Sequence, residues 1–336
     1  MRPVLPAAPA LRPTPPTWVV GRGGLLGGAV QAAVGSSSWA APQSVPWSRV
    51  STSVDVLRST AVEFAAAVGS GPWQVAWCAG AGVTGTTQEV LDDELDVLRR
   101  FLEALADVAV TARGQGSLFL ASSAGGVYAG AAGRGGPPYD ERTPPRALAP
   151  YGQAKIRAEA MVREWAGATG VPVAIGRISN LYGPGQNLAK PQGLISQMCR
   201  AHLTGQPLSV YVPLDTLRDY VYAADCGALV RDMMQRSRWQ AAVDGGVAVH
   251  VKVLASQRAV TVGAVIAELR RLFKRAPLIV LGASSAAAQQ ARDLRLRSVV
   301  WRDLDARPLT PLPVGMKATA EHLRRQLQLA RIRRSA

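Results

Sequence analysis

The sequence has few residues that could form disulfides or bind a metal: only three cysteines and three histidines among 336 residues. Cys78, Cys199 and Cys226 are odd in number and far apart, which argues against a disulfide framework. The histidines are scattered and lack the spacing of metal ligands. We therefore predict reduced, buried thiols in a cytoplasmic protein that has no metal centre.

Long apolar runs are also missing. No stretch approaches the roughly 20 residues that a helix needs to span a bilayer. The start of the chain, "MRPVLPAAPALRPTPP", is broken by prolines and lacks the continuous apolar core of a signal peptide. We predict that residues 1–16 form a disordered tail.

Acidic residues are scarce, with 23 Asp and Glu against 38 Lys and Arg, so the net charge is +15. Such a charge suits nucleic acid, a membrane surface or phosphorylated small substrates. The basic residues concentrate in "RDLRLRSVVWRD" and "EHLRRQLQLARIRRSA", but neither contains interleaved aromatic residues or a nucleic-acid motif. We predict neither a nucleic-acid nor a membrane partner, and a basic surface that attracts an anionic substrate.

Short apolar runs alternate with segments of helical periodicity. The periodicity predicts helices at 92–112 and 151–168. Nearly continuous apolar strands that alternate with helices predict an α/β fold, in which helices cover both faces of a parallel sheet. The predicted strands are 17–21, 73–80, 117–123, 171–179 and 249–254.

A glycine cluster, "VVGRGGLLGGAV", follows the first predicted strand and begins a predicted helix. Gly21, Gly24 and Gly27 have the spacing G-x-x-G-x-x-G. Glycines at such a turn let the backbone approach a diphosphate, and the helix N-terminus then offers free N–H groups to it. On its own the cluster is equally compatible with a turn that binds no ligand.

The acid that usually accompanies this motif is missing. An NAD site usually has Asp or Glu about 20 residues further on, which binds the adenosine ribose. Here "GSSSWAAPQSVPWSR" contains no acid, and the first acidic residue of the chain is Asp55. We expect Arg22, with Ser36–Ser38 and Arg49 nearby, to face a ribose 2′-phosphate, which favours NADP over NAD. Arg22 could equally be a solvated loop residue, and Asp55 is expected near the adenine.

A possible catalytic group follows. Tyr151 and Lys155 are four residues apart, on one face of a predicted helix. A nearby ammonium favours the phenolate, so the tyrosine can transfer a proton nearer neutral pH. Ser122 and Ser123 end a predicted strand, where a hydroxyl could bind a carbonyl or alkoxide. A tyrosine and a lysine four residues apart often occur by chance. Here the glycine cluster, the serines and the Tyr151–Lys155 pair follow one another in this order, which favours a catalytic role.

These segments resemble the extended short-chain dehydrogenases/reductases, specifically the NAD-dependent epimerase/dehydratase family. The resemblance covers about residues 17–330. Besides the glycine cluster, it rests on "ASSAGGVYAG", "PPYDERTPPRALAPYGQAK", "GRISNLYGPGQN", "LRDYVYAADCGALV" and "TPLPVGMKATAEHL".

The resemblance implies a Rossmann-type doubly wound sheet and a smaller, discontinuous C-terminal substrate domain. The NAD(P)-binding domain would comprise 17–176 with a return segment at about 219–254. The substrate domain would comprise 177–218 and 255–336. The family also implies a homodimer, built on a four-helix bundle of the helices near 92–110 and 151–167. Arg157, Met161 and Val162 would then lie near the contact.

The resemblance also implies roles for individual residues. Tyr151 would be the catalytic acid/base, Lys155 would assist it and bind the nicotinamide ribose, and Ser123 would bind the substrate hydroxyl, with Ser122 as the alternative. Asn180 and Arg218 would contact the diphosphate of a nucleotide-sugar, although Arg218 could instead pair with Asp219 or Asp225. The predicted cofactor-binding residues are Gly21, Arg22, Gly24, Leu25, Leu26, Gly27, Asp55, Ala79, Gly80, Tyr151 and Lys155.

One difference from other members of the family limits the reactions that we expect. The sugar 4,6-dehydratases carry Thr-Asp-Glu after the serine strand, whereas this chain has "SSAGG" without a carboxylate. We therefore expect epimerisation or ketone reduction of a nucleotide-sugar with NAD or NADP. The alternatives are reduction of a non-sugar carbonyl and a cofactor-binding regulatory protein without catalysis; a regulator would not need Ser123, Tyr151 and Lys155.

Overall fold

The computed structural model describes residues 14–111, 116–131, 136–189, 193–245, 248–275, 278–282 and 291–335. Most of the predicted tail lies outside these residues, but its last three belong to the folded part. Pro15 is buried, and the Pro16 carbonyl accepts a hydrogen bond of 2.9 Å from the N–H of Gln74. The prediction of a disordered tail is thus wrong for residues 14–16, because they pack against the start of the sheet.

Strands and helices alternate along the first two thirds of the chain, as predicted. The strands are β1 (Thr17–Val20), β2 (Trp73–Trp77), β3 (Gly116–Ser123), β4 (Val173–Ile178), β5 (Asn180–Tyr182), β6 (Leu208–Val210), β7 (Leu217–Arg218), β8 (Tyr220–Tyr222), β9 (Val249–Leu254), β10 (Val260–Thr261), β11 (Ile279–Leu281) and β12 (Asp293–Leu294). The helices are α1 (Leu25–Val34), α2 (Val50–Val68), α3 (Gln88–Thr111), α4 (Ala124–Tyr128), α5 (Pro150–Thr169), α6 (Leu194–Thr204), α7 (Ala223–Asp244), α8 (Val262–Phe273) and α9 (Leu312–Ser335).

Five of these strands form a parallel sheet in the order β1-β2-β3-β4-β9. Alternate side chains point to opposite faces. Val20 and Val75 belong to a core beneath α2, α3 and α5, whereas Val19 and Phe119 belong to a core beneath α1 and α7. Helices on both faces confirm the predicted doubly wound parallel sheet.

Val162 of α5 lies within the first of these cores, where its exposed fraction is 0%. Its side chain packs inside the subunit, so Val162 itself would not contact a partner subunit. Met161 is half-buried and Arg157 is exposed. These two residues remain available to a partner subunit.

The sheet ends at β1, where the six-stranded Rossmann order places two further strands. Among the described residues, the only pairing on the outer side of β1 is a single parallel bridge between Thr17 and Ser38. Trp39 covers this edge with its ring centroid 5.7 Å from that of Trp18 and 5.0 Å from that of Phe64. Large aromatic side chains therefore shield the edge that additional strands would otherwise cover.

A separate core lies among elements from the last part of the chain. It contains Met198 of α6, Ile266 of α8 and Met316 of α9, together with Tyr182 and Val210. These residues come from the segments assigned to the substrate domain, whose boundaries stay a prediction.

Within the described ranges, no helix combines the length and apolarity needed to cross a bilayer. The same residues include no group of three or more His, Cys, Asp or Glu side chains placed to hold a metal ion. All three cysteines are free thiols. Burial raises the pKa of Cys199 and of Cys226 to about 12.

Candidate active site

The glycine turn leaves no space for side chains at two of its positions. Gly21 has φ of 86°, and a Cβ built on it would lie 2.7 Å from the backbone nitrogen of Ala79. A Cβ on Gly27 would lie 2.1 Å from the Gly21 carbonyl oxygen. The glycines thus allow α1 to begin directly against the ends of β1 and β2.

This turn is suited to an anion. Gly24 is the N-cap of α1, and no acidic residue occurs in the first turn of that helix. The first N–H groups of a helix have no partner within it, so those of Leu25 and Leu26 remain available to a ligand. Gly23 and Gly24 are exposed beside them. A backbone cradle that a Cβ would fill, next to a helix N-terminus, fits the diphosphate of a dinucleotide.

The three serines expected beside Arg22 lie elsewhere. Ser38 bridges Thr17 at the amino end of β1, and the Ser37 hydroxyl donates to the Thr14 carbonyl over 2.9 Å. The glycine turn lies at the carboxyl end of the same strand, about 13 Å away for four residues at 3.3 Å each. The expectation that Ser36–Ser38 face the same ribose as Arg22 is therefore wrong.

Arg49 and Asp55 lie near the correct end of the sheet. Arg49 is the N-cap of α2 and Asp55 is in its second turn; both are exposed. The Trp47 ring packs edge-on against Trp77, with centroids 6.3 Å apart. Because Trp77 is the last residue of β2, α2 begins at the carboxyl edge, where a dinucleotide binds in this type of sheet.

Ser123, Tyr151 and Lys155 come together at the carboxyl ends of β2 and β3. A Cβ on Gly126 would lie 3.1 Å from Cε1 of Tyr151, and Gly126 donates its N–H to the Ser123 Oγ over 3.1 Å. Lys155 Nζ lies 5.7 Å from the centroid of the Tyr151 ring.

The same cluster adjoins the glycine turn through the loop that follows β2. Lys155 Nζ lies 3.5 Å from the position of a Cβ on Gly80, which has φ of 142°. Ala79, the preceding residue, contacts Gly21 as described above. The structure therefore places the predicted catalytic and cofactor-binding groups in one continuous region.

A buried ion pair fixes α5 over the strand ends. Arg177 of β4 donates from Nη2 to the Glu159 Oε2 over 2.7 Å and from Nε to Oε1 over 2.9 Å. Both side chains are 4% exposed. Glu159 lies one turn after Lys155, so this contact sets the position of the helix face that carries Tyr151 and Lys155. Sequence reasoning missed the pair, although the four-residue spacing of Tyr151, Lys155 and Glu159 was a usable signal.

Tyr128 completes this network. Its hydroxyl accepts from the Arg177 Nη1 over 2.8 Å and donates to the Asp140 carbonyl over 2.8 Å. Burial raises the pKa of Tyr128 to about 12. The phenol therefore remains protonated and keeps donating its hydrogen bond at neutral pH.

Ser122 takes part in this buried network. Its hydroxyl donates to the Glu159 Oε1 over 2.7 Å, and the residue is 5% exposed. The Ser123 hydroxyl instead accepts from a backbone N–H and keeps its own proton as a donor. Of the two serines, Ser123 is the one whose hydroxyl is left for a substrate.

Arg218 and Asn180 lie on neighbouring segments. Arg218 is 8% exposed and donates from Nη1 to the Ala291 carbonyl over 2.7 Å. Burial lowers the pKa of its guanidinium. Asn180 donates its side-chain amide to the Asp219 carbonyl over 2.8 Å.

The two carboxylates considered as partners of Arg218 are held by other donors. Asp219 accepts from the N–H groups of Ser256 and Arg258. Asp225 accepts from the N–H and hydroxyl of Thr310. Arg218 itself donates to the backbone carbonyls of Leu217 and Ala291.

A further acid reaches the site from α3. The Glu94 Oε1 accepts from the N–H of Ala81 over 2.6 Å and from that of Gly82 over 2.8 Å. Its Oε2 lies 3.4 Å from the position of a Cβ on Gly82, and Tyr151 Cδ2 lies 3.3 Å from the same position. Sequence reasoning missed Glu94 because no local motif indicates that α3 folds over this loop.

Two curated relatives match part of the chain. An uncharacterized UDP-glucose epimerase, YtcB, of Bacillus subtilis is 27% identical over 132 residues, which are 39% of this chain and 38% of that protein. The dTDP-L-rhamnose 4-epimerase of Burkholderia thailandensis is 34% identical over 86 residues, which are 25% of this chain and 24% of that protein. The matched parts span well under half the length of these relatives.

Solved structures match nearly the whole chain. A UDP-glucose 4-epimerase of Thermus thermophilus, in complex with NAD, has a TM-score of 0.71 at 18% identity, covering 92% of this chain and 98% of that one. RMD of Pseudomonas aeruginosa, complexed with NADPH, has a TM-score of 0.70 at 20% identity, covering 91% and 97%. At this level of identity the likeness shows the fold.

A family model matches more than half of the sequence. The model described as the NAD dependent epimerase/dehydratase family covers residues 19–243, from β1 through most of α7. These residues include the glycine turn, both serines, Tyr151, Lys155 and the buried Glu159–Arg177 pair. The chain belongs to the NAD-dependent epimerase/dehydratase family.

Proposed function

We propose that the protein is an NAD(P)-dependent epimerase or oxidoreductase, acting on a hydroxyl or ketone carbon of a nucleotide-sugar. The observation that carries this proposal is the convergence of Ser123, Tyr151 and Lys155 beside the glycine turn. In reactions of this family, the nicotinamide of the cofactor supplies or accepts the hydride. The residues of the chain orient the substrate and move a proton.

Tyr151 is the proposed proton carrier. Its ring lies between Gly82 and Gly126, and its hydroxyl would exchange a proton with the substrate oxygen. Lys155 Nζ lies 5.7 Å from the centroid of the Tyr151 ring, and the Ser123 hydroxyl retains a proton to donate to the same substrate oxygen. The proposed cofactor-binding residues are Gly21, Arg22, Gly24, Leu25, Leu26, Gly27, Asp55, Ala79 and Gly80.

The nucleotide-sugar part of the proposal is supported by the names of the matched proteins, which include epimerases of UDP- and dTDP-sugars. Asn180 and Arg218 are the proposed contacts to the diphosphate. The segment after the serine strand has no carboxylate, which favours epimerisation or reduction over dehydration. NADP is the favoured cofactor, because residues 36–49 contain no acid to repel a 2′-phosphate.

A second candidate is reduction of a non-sugar carbonyl. The observation that favours it is the bonding of Arg218, which donates to the Leu217 and Ala291 carbonyls. An arginine held in this way has fewer donors left for a diphosphate. The Ser123, Tyr151 and Lys155 chemistry is the same for both candidates.

A homodimer is proposed through the outer faces of α3 and α5. The two helices pack against each other, and Arg157 of α5 forms an ion pair of 2.5 Å with Asp92 of α3 on this exposed side. Arg157 and Met161 would lie near the contact. We also propose a cytoplasmic location, in which the three free thiols would stay reduced.

The experiment that tests the proposal combines cofactor identification with a substrate panel. The protein is denatured, and the released dinucleotide is identified by chromatography. The native protein is then incubated with UDP- and dTDP-sugars, and products are followed by nicotinamide absorbance and sugar NMR. Binding of neither NAD(H) nor NADP(H) would refute the dinucleotide site, and turnover of uncharged ketones alone would favour the second candidate.

A further inference from the structure

Glu94 uses one carboxylate oxygen to hold the loop after β2. Its Oε1 accepts from two consecutive backbone N–H groups, those of Ala81 and Gly82. This loop begins at Gly80, beside the glycine turn, and faces both Tyr151 and Lys155. Glu94 therefore fixes the backbone that forms one wall of the proposed cofactor site.

The second oxygen of Glu94 faces the catalytic lysine across an open space. Glu94 Oε2 lies 3.6 Å, and Lys155 Nζ 3.5 Å, from the position of a Cβ on Gly80. No ion pair within 4.0 Å joins Glu94 and Lys155 in the described part of the chain. Lys155 Nζ has a long hydrogen bond of 3.5 Å to the Ala121 carbonyl. A carboxylate and an ammonium thus flank a space that a side chain at position 80 would fill.

The chemistry of this space fits a ribose hydroxyl. A hydroxyl both donates and accepts a hydrogen bond, so it is satisfied between an ammonium, which only donates, and a carboxylate, which only accepts. Charge-assisted hydrogen bonds of this kind are the strong ones. The space lies next to Tyr151, the proposed proton carrier, which places it on the nicotinamide side of the dinucleotide.

We propose that Glu94 is a cofactor-binding residue whose Oε2 accepts a hydrogen bond from a hydroxyl of the nicotinamide ribose, opposite Lys155. The inference rests on the proposed function, because it requires a dinucleotide in this region. The nicotinamide ribose is then bound by a carboxylate of α3, whereas residues 36–49 supply no acid to the adenosine ribose. Binding is divided between the glycine turn, which holds the diphosphate, and the Glu94–Lys155 pair, which holds the ribose.

The test distinguishes ribose binding by Glu94 from a role in which Glu94 only holds the loop after β2. Glu94→Gln keeps an oxygen for the Ala81 and Gly82 N–H groups but presents an NH₂ donor to the ribose in place of the acceptor. Asp93→Asn, at an exposed acid next along α3, is the matched control. Dissociation constants are measured by calorimetry, without substrate, for NADH and NADPH and for ADP, which lacks the nicotinamide riboside.

We expect Glu94→Gln to weaken binding of the dinucleotide that the wild type prefers by about 10- to 150-fold, the range for a lost charge-assisted hydrogen bond. ADP binding and the melting temperature should stay unchanged, and Asp93→Asn should bind all ligands as the wild type does. An unchanged dinucleotide affinity in Glu94→Gln would overturn the proposal. An equal loss for ADP would also overturn it, because the role of Glu94 would then be to hold the loop. If the wild type binds neither dinucleotide, the proposed function fails first and the inference with it.

Discussion

Glu159 and Arg177 join helix α5 to strand β4 by two parallel hydrogen bonds, of 2.7 and 2.9 Å, in a region from which solvent is almost excluded. The bidentate geometry fixes both the position and the rotation of α5. Tyr151 and Lys155 lie two turns and one turn before Glu159 on the same helix. The pair therefore determines where the proposed proton carrier stands relative to Ser123.

Removing one partner of the Glu159–Arg177 pair should lower the stability of the protein. Glu159→Ala would leave the Arg177 charge buried without a counter-charge, which typically lowers the free energy of unfolding by about 3–5 kcal/mol. Denaturant unfolding measures this loss. Glu321→Ala, which breaks the exposed Lys317–Glu321 pair, is the control and should have little effect. Similar losses in the two variants would contradict the assigned role of the buried pair.

Tyr151→Phe should lower kcat by about 100- to 10,000-fold, the range for loss of a general acid or base. The ring that packs against Gly126 and Gly82 stays, so the dissociation constant of the dinucleotide should change little. Steady-state kinetics and calorimetry measure the two effects. Tyr211→Phe, at an exposed tyrosine, should behave as the wild type, and a Tyr151→Phe enzyme that keeps most of its kcat would refute the assignment.

The glycine turn offers a matched pair of substitutions. Gly27→Ala adds a Cβ 2.1 Å from the Gly21 carbonyl oxygen, whereas a Cβ on Gly23 meets no described atom within 4 Å. Gly27→Ala must displace α1 from β1, at a cost of about 1–3 kcal/mol of stability, and should abolish dinucleotide binding. Gly23→Ala should leave stability unchanged. Thermal unfolding and calorimetry report both effects, and a Gly27→Ala variant that binds normally would exclude this turn as the cradle.

The charges at the carboxyl edge of the sheet predict the cofactor preference. Arg22 and Arg49 lie at the carboxyl edge, and no carboxylate occurs in residues 36–49. NADPH should therefore bind at least as tightly as NADH, and Arg22→Ala should weaken the binding of NADPH more than the binding of NADH. Calorimetric titration of both cofactors decides this, with Arg58→Ala, at an exposed arginine of α2, as the control. A strong preference of the wild type for NADH would disprove the prediction.

How much the sequence predicts depends on the range of the contacts involved. The five central strands are evident from apolar runs such as "VPVAIGRIS", because burial on both faces of a sheet requires them. The positions of Ser123, Tyr151 and Lys155 follow from the order of their motifs along the chain. Glu94 and Arg177 enter through long-range packing that no local spacing encodes. Ser38, read as part of a ribose site, lies at the amino end of β1, where it bridges Thr17, and its position depends on this pairing and not on a local motif.

The last prediction concerns the diphosphate of the substrate. If Arg218 binds it, loss of a charge-assisted contact costs about 1.5–3 kcal/mol, or about 10- to 150-fold in KM. The effect should fall on KM and not on kcat, because the diphosphate is held similarly in the ground and transition states. Arg218 is buried and donates to backbone carbonyls, so Arg218→Gln, which keeps hydrogen-bond donors but loses the cation, is the variant for kinetics.

The control for this prediction is Arg292→Ala, at an exposed arginine paired with Asp215, which should leave KM unchanged. Unfolding curves of both variants establish that the fold is intact. A raised KM for nucleotide-sugars in Arg218→Gln alone, with kcat retained, would support the nucleotide-sugar candidate. An unchanged KM would assign Arg218 to the packing of β7 against the Ala291 carbonyl. The non-sugar carbonyl candidate would then be favoured, while the proton transfer by Tyr151 would stand.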